Sequence, residues 1–305
     1  MSISPPVEPA KPGRPARNLA DLGLRIGSAL VMVALALGTL FLGGQAFLLF
    51  WLLACVLINW EWQQMSGGPH LLWRSLAGTA ALAGAAASLR LGEPEIPLLA
   101  LLAGMIVLAF LAGPGKRLWA ASGLAYAGAL LVALGVLRFS DPVMYRHMAV
   151  LWLFAIVWGT DIMAYFGGRL IGGPKLWPRI SPSKTWSGTL TGVIMGAVFG
   201  TGVTLASTWF YDTPVSHRAV FVLALLVAAA SQTGDLLESA MKRHFGVKDS
   251  STLIPGHGGF MDRLDGRRDS VLCDAARTME RRAVARVSRT RGPRRTLRNR
   301  TCRWP

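Results

Sequence analysis

The chain has 305 residues, of which 52% are hydrophobic and only 16% charged, with a formal net charge of +16. An ordinary soluble domain carries roughly a quarter charged residues, so this composition excludes a soluble enzyme, a secreted disulfide scaffold and a disordered protein. An isoelectric point near 11.1 does not make it a nucleic-acid binder, because the mean hydropathy of +0.42 is concentrated in long uncharged runs.

Residues 1–20 are rich in Pro and Ala, as in Ser4-Pro5-Pro6 and Pro12-Gly13-Arg14, and read as a disordered cytoplasmic lead-in. No cleavable signal peptide is expected, since the first apolar stretch lacks a clear small-residue cleavage site and more membrane sequence follows it. Apolar segments then fall at roughly 26–42, 46–60, 75–91, 96–112, 118–137, 148–167, 188–210 and 219–237. Ile26 to Leu42 and Leu98 to Gly115 contain no charge at all. A helix needs about 20 apolar residues to cross the hydrocarbon core, so the pattern predicts an all-α polytopic membrane domain of about eight helices over residues 21–266.

With the N-terminus inside, the cytoplasmic segments carry Lys11, Arg14, Arg17, Arg25, Arg74, Lys116, Arg117, Arg169, Lys175, Arg179 and Lys184. The opposite side carries Arg90, Arg138, Arg146 and Arg218. Eleven against four is a positive-inside bias. It places the polar segments 168–187, read as a loop, and 238–266 in the cytoplasm. Gly188, Gly192, Gly196 and Gly200, with the cluster from Ala80 to Ala87, suit close helix contact and read as packing. Cys55, Cys273 and Cys302 have no metal-ligand spacing and suggest no disulfide framework.

Ionisable groups in apolar segments are costly and point to function. Asp161 sits inside the sixth segment, in Trp158-Gly159-Thr160-Asp161. Asp235 and Glu238 sit where the eighth meets the cytoplasm, three apart and therefore on one helical face. A divalent metal could use both. Alternatively, Glu238 forms an ordinary surface ion pair with Lys242.

From Lys242 to Asp265 the chain offers a phosphate-handling inventory in 24 residues. Lys242, Arg243 and Lys248 supply charge, Ser250, Ser251 and Thr252 supply hydroxyl donors, and Gly256, Gly258 and Gly259 around His257 let backbone amides approach an anion. Asp262 and Asp265 are hard oxygen donors of the kind Mg²⁺ takes together with substrate phosphates. Gly167-Gly168-Arg169, Gly172-Gly173-Pro174-Lys175 and Ser181-Pro182-Ser183-Lys184-Thr185 repeat the theme more weakly.

These motifs resemble those of the phosphatidate cytidylyltransferases, the CDP-diacylglycerol synthases, over roughly residues 20 to 266. Ser239, Lys242, Arg243, Lys248, Asp249, Pro255, His257, Gly258, Gly259, Asp262, Arg263 and Asp265 match the family's closing pattern in order and spacing. Asp161-x-x-Ala164-Tyr165-Phe166-x-Gly168-Arg169 and Ser181-Pro182-x-Lys184-Thr185 are also similar to it. The resemblance implies cytidylyl transfer from CTP to phosphatidic acid, giving CDP-diacylglycerol and pyrophosphate at a bacterial inner membrane. It implies Asp235 and Asp262 as Mg²⁺ ligands with Asp265 assisting, a second cation such as K⁺ being an option. It further implies that Lys242, Arg243, Lys248 and Arg263 neutralise phosphates. Ser181, Lys184 and Thr185 would hold nucleotide or lipid phosphate, with Arg169, Asp161, Ser239, His257, Gly258 and Gly259 at the substrates. The partners are then CTP, phosphatidic acid and membrane lipid, with a homodimer left open and no nucleic acid. A polyprenol or phytol kinase would use CTP differently, releasing CDP, and a transporter would also explain an intramembrane Asp161.

Two departures stand out. Ser187 occupies a position where the family usually has Glu, and the family continues from Asp-Arg-x-Asp into a ninth apolar helix. Here residues 267–305 instead hold 13 Arg, no Lys and three acids, contributing +10 of the charge. Lipid binding, RNA binding and out-of-frame translation would each give a basic tail. The absence of Lys and the abrupt change in composition favour the last, so a native ninth helix is expected to be missing.

Overall fold

The computed structural model describes residues 19–90, 95–139, 146–211 and 216–247. Within them the eight apolar segments form eight helices: α1 (Leu19–Leu42), α2 (Gly44–Ser66), α3 (Leu71–Ser88), α4 (Glu95–Leu111), α5 (Arg117–Phe139), α6 (Arg146–Leu170), α7 (Trp186–Tyr211) and α8 (His217–His244). The all-α polytopic expectation holds. The lead-in of residues 1–18, the motif from Lys248 to Asp265 and the Arg-rich tail lie outside the described residues, as does the question of a ninth helix.

From Val31 onward the described elements belong to one compact unit, whereas the first turns of α1 belong to another and are described only as helix. Five helices are long and apolar enough to cross a membrane: α2, α5, α6, α7 and α8. At 1.5 Å per residue, the 23 residues of α2 span about 35 Å, more than the roughly 30 Å hydrocarbon core. The apolar stretches Leu30–Leu42 of α1 and Glu95–Leu111 of α4 are shorter.

The unit is apolar outside as well as inside. Leu49 and Leu53 of α2, Leu98, Leu102 and Phe110 of α4, and Leu223 and Leu226 of α8 are all exposed. In water such patches would drive aggregation; in a bilayer they face acyl chains. The main core gathers Phe47, Trp51, Ile58, Leu82, Leu108, Leu124 and Leu131 among α2 to α5, and reaches Met241 on α8. A smaller cluster of Ile156, Ala197, Ala224 and Ala228 joins α6, α7 and α8.

The segment read as a loop between α6 and α7 contains a short antiparallel hairpin, β1 (Lys175–Trp177) and β2 (Ser181–Thr185). Pairing runs Lys175 to Thr185 and Trp177 to Ser181, with a register shift between them. Three residues alternating lysine, leucine and tryptophan leave little period-2 signal, so the glycines and prolines around them dominate the sequence pattern. Gly172 and Gly173, at φ 68° and 107°, turn the chain out of α6 into β1, a backbone geometry that L side chains resist.

Candidate active site

Close packing of α6 on α7 sets the site's frame. A Cβ built on Gly188 would lie 2.6 Å from the Ala164 carbonyl oxygen, and one on Gly192 would lie 2.6 Å from that of Thr160. On Gly196 it would come within 3.0 Å of the Ile156 carbonyl oxygen. The glycine stripe therefore does what its spacing suggests. It also fixes the rotation of α6 at Thr160, the residue beside Asp161.

At the hairpin end, Thr185 Oγ1 accepts the Gly188 amide at 3.1 Å and caps α7. The Thr185 hydroxyl lies 3.2 Å from Ser187 Oγ, which donates to the Gly172 carbonyl. The Trp186 amide donates to the Pro174 carbonyl at 3.1 Å. Both ends of the hairpin are thus tied to the start of α7, and Lys184 is presented from a fixed strand.

Lys184 Nζ lies 2.8 Å from Asp235 Oδ2 and donates to Gln232 Oε1 at 3.4 Å. Gln232 Nε2 in turn donates to Asp161 Oδ1 at 3.5 Å. A polar chain therefore runs from α6 through α8 to β2. Asp161 and Asp235 each sit nine residues from the hairpin-side end of their helix, about 14 Å along its axis at 1.5 Å per residue. The Lys184 and Asp235 side chains are 22% and 20% exposed, so this ion pair is shielded beyond what an ordinary surface pair enjoys.

Glu238 does pair with Lys242, at 2.6 Å, but the surface reading of that pair is corrected: the Glu238 side chain is 0% exposed and that of Lys242 14%. Asp235 and Glu238 hold separate lysines, Lys184 and Lys242. Among the described residues, no three His, Cys, Asp or Glu side chains converge as a metal site. Asp235 brings a hard, partly exposed carboxylate suited to Mg²⁺. Its expected companion Asp262, with Lys248, His257, Gly258, Gly259, Arg263 and Asp265, lies outside the described residues.

Of the remaining candidates, Ser181 is buried in β2 opposite Trp177. Arg169 is exposed in the last turn of α6, its Nη1 donating to Tyr165 Oη at 3.4 Å. Ser239 is half-buried on α8, and Arg243 is exposed in its final turn. Gln232, buried at 4% exposure, was missed in the sequence. The available signal was its place three residues before Asp235, on the same helical face.

The end of α8 is built to hand the chain on in a fixed direction. Val247 N donates to the Lys242 carbonyl at 3.0 Å and Gly246 N to that of Arg243 at 3.2 Å, with Gly246 at φ 67°. This is a Schellman closure, which needs a left-handed residue at that place. His244 stacks on Trp119 of α5 at 4.7 Å between centroids, Phe245 meets the same ring edge-on at 5.0 Å, and Lys116 Nζ lies 5.3 Å from the Phe245 ring.

Membrane-length helices around a lysine–carboxylate chain define a multi-pass membrane protein with a partly shielded charged site. The chain belongs to the cytidylyltransferase family, whose model matches residues 23–271, and is accordingly a nucleotidyltransferase. It is 41% identical over 249 residues to a phosphatidate cytidylyltransferase of Brucella abortus biovar 1 (strain 9-941), covering 81% of this chain and 90% of that one. A Rickettsia bellii (strain RML369-C) protein of the same name is 36% identical over 136 residues, 44% of this chain and 58% of its own. One from Staphylococcus saprophyticus is 44% identical over 116 residues, 38% and 43% respectively.

Proposed function

We propose that the chain transfers the cytidylyl group of CTP to phosphatidate, giving CDP-diacylglycerol and pyrophosphate, at the cytoplasmic face of a bacterial inner membrane. The observation that carries the reading is Lys184 of the hairpin held between Asp235 and Gln232 of α8. The relatives' names supply the substrates, and the eleven-to-four distribution of basic residues supplies the orientation.

In the reaction a phosphate oxygen of the lipid attacks the α-phosphorus of CTP. The bond from that phosphorus to the bridging oxygen of the β-phosphate breaks, and its electrons leave on pyrophosphate. The barrier comes from bringing anions together and from charge on the leaving group. Lys184, with its direction set by Asp235 and Gln232, lends positive charge to phosphate oxygens as they meet. Arg243, exposed at the end of α8, is a further proposed phosphate contact, as are Lys248 and Arg263. Lys242 acts through the Glu238 pair, fixing that turn. Asp235 and Asp262 are the proposed Mg²⁺ ligands, with Asp265 assisting and a second cation such as K⁺ an option; bound there, Mg²⁺ would supply positive charge to the reacting phosphates.

The full chain in detergent–phosphatidate micelles with CTP and Mg²⁺ should release pyrophosphate and CDP-diacylglycerol one for one. Release of CDP instead would establish γ-phosphoryl transfer and overturn the reading. Asp235→Asn and Lys184→Ala should each abolish turnover while leaving membrane insertion intact.

A further inference from the structure

We propose that Gln232 is a positioning residue whose carboxamide sets the relation of Lys184 to Asp161 across β2, α8 and α6. The proposal rests on the reading that Lys184 belongs to the active site. Gln232 Oε1 accepts from Lys184 Nζ at 3.4 Å and Nε2 donates to Asp161 Oδ1 at 3.5 Å, with the side chain 4% exposed. A carboxamide presents an acceptor at one end and donors at the other, so a single orientation serves an ammonium on one side and a carboxylate on the other. Other side chains fail at one neighbour. A carboxylate repels Asp161, an ammonium repels Lys184, and a hydroxyl is too short to bridge them.

Lys184 keeps its shorter bond, 2.8 Å, for Asp235. Held by that bond alone, its four-carbon tail is free to swing about Oδ2. A second acceptor one helical turn earlier on the same face of α8 fixes the direction of the ammonium. Meanwhile the Nε2 donor gives the Asp161 carboxyl a hydrogen-bond partner inside an apolar helix, where a polar group without one is costly. Gln232 steers Lys184, and Asp235 retains it.

The test uses the full chain with Gln232→Glu, Asp161→Asn and the double variant, each assayed for kcat/KM toward CTP across pH. Gln232→Glu keeps the shape but opposes two carboxylates, so kcat/KM should fall about ten- to a hundredfold, the equivalent of one charge-assisted hydrogen bond. Its pH profile should gain an ionisation absent from the parent, as facing carboxylates compete for a proton. The double variant restores a donor, now on the α6 side. It should return to within about threefold of Asp161→Asn alone and lose the extra ionisation, since contacting residues are coupled. Losses that simply multiply, or a Gln232→Glu chain with parental kcat/KM and pH profile, would overturn the proposal. If Gln232→Glu does not accumulate in membranes, Gln232→Met removes both hydrogen bonds at similar length; it should show the same loss without a new ionisation, and parental kcat/KM there also overturns the proposal. Lys184→Ala run in parallel separates the two readings. Full activity in that variant removes Lys184 from the site, whereas an inactive Lys184→Ala beside an unaffected Gln232 series sinks only the positioning role.

Discussion

Glycines of α5 receive side chains, while Gly188 and Gly192 of α7 receive backbone. A Cβ on Gly128 would meet the Leu101 methyls at 2.6 and 2.7 Å, but one on Gly192 would meet the Thr160 carbonyl oxygen at 2.6 Å. The contrast separates two kinds of packing. A leucine tip can turn to another rotamer, whereas a helix carbonyl moves only if the helix moves. The α2–α5 group is therefore a core of interlocking large side chains that can adjust locally. The α6–α7 pair is held backbone to backbone at Gly188 and Gly192, and it carries Asp161 and the hairpin that presents Lys184.

The sharpest way to break this comparison is to add one methyl to each half. Gly128→Ala should cost about 1–3 kcal/mol, the usual penalty for modest overpacking, with specific activity per folded molecule retained. Gly192→Ala should exceed that range and take the activity with it, because relieving the clash displaces α6 beside Asp161. Thermal unfolding in detergent alongside turnover separates the two. Equal effects on activity would mean that the site does not depend on the α6–α7 contact.

A second prediction concerns α8, which belongs to both groups. Ala224 and Ala228 join the α6–α7 side, and Met241 joins the α2–α5 core. The Glu238–Lys242 pair lies on the Met241 side, shielded from solvent. Glu238→Gln should destabilise by about 2–3 kcal/mol, below the roughly 3–5 kcal/mol for a wholly buried pair because Lys242 keeps some access to water. The loss should persist in high salt, since a shielded pair is weakly screened. A salt-sensitive loss of a few tenths of a kcal/mol would restore the surface reading.

The helices were legible in the sequence because lipid demands long uncharged runs, Asp161 and Asp235 because charge there is costly, and Lys184 through the Ser181-Pro182-Ser183-Lys184-Thr185 motif. What links them was not. Gln232 carries no charge and repeats no motif, and its meaning depends on α6 and β2 arriving on either side of α8. The burial of Glu238 was hidden for a similar reason: spacing places it opposite Lys242 but does not reveal what covers them. The hairpin strands are three and five residues long, too short for alternation to outweigh Gly172, Gly173, Pro174 and Pro182. The pairing of α7 with α6 was partly visible in the glycine stripe, which shows that a close partner exists without naming it.

The smallest predicted effect tests whether Ser187 is a deficit or a fitted part. It stands where the family resemblance leads one to expect Glu, yet here its hydroxyl donates to the Gly172 carbonyl and faces Thr185 Oγ1. Since Thr185 Oγ1 already accepts the Gly188 amide, its own proton is available to Ser187 Oγ. One directed chain then runs from the α7 amide through two hydroxyls to the end of α6. Ser187→Ala breaks it at the last link and should cost about 1 kcal/mol, the net value of a typical hydrogen bond. Because the hairpin base loosens while Lys184 and its partners survive, KM for CTP should rise a few-fold with kcat largely kept, about what 1 kcal/mol allows. Ser187→Glu brings an acceptor in place of the donor that Gly172 needs, so it should lose as much as the alanine variant. A gain in activity from glutamate would instead show that the hairpin closure seen here substitutes for a catalytic group rather than completing the site.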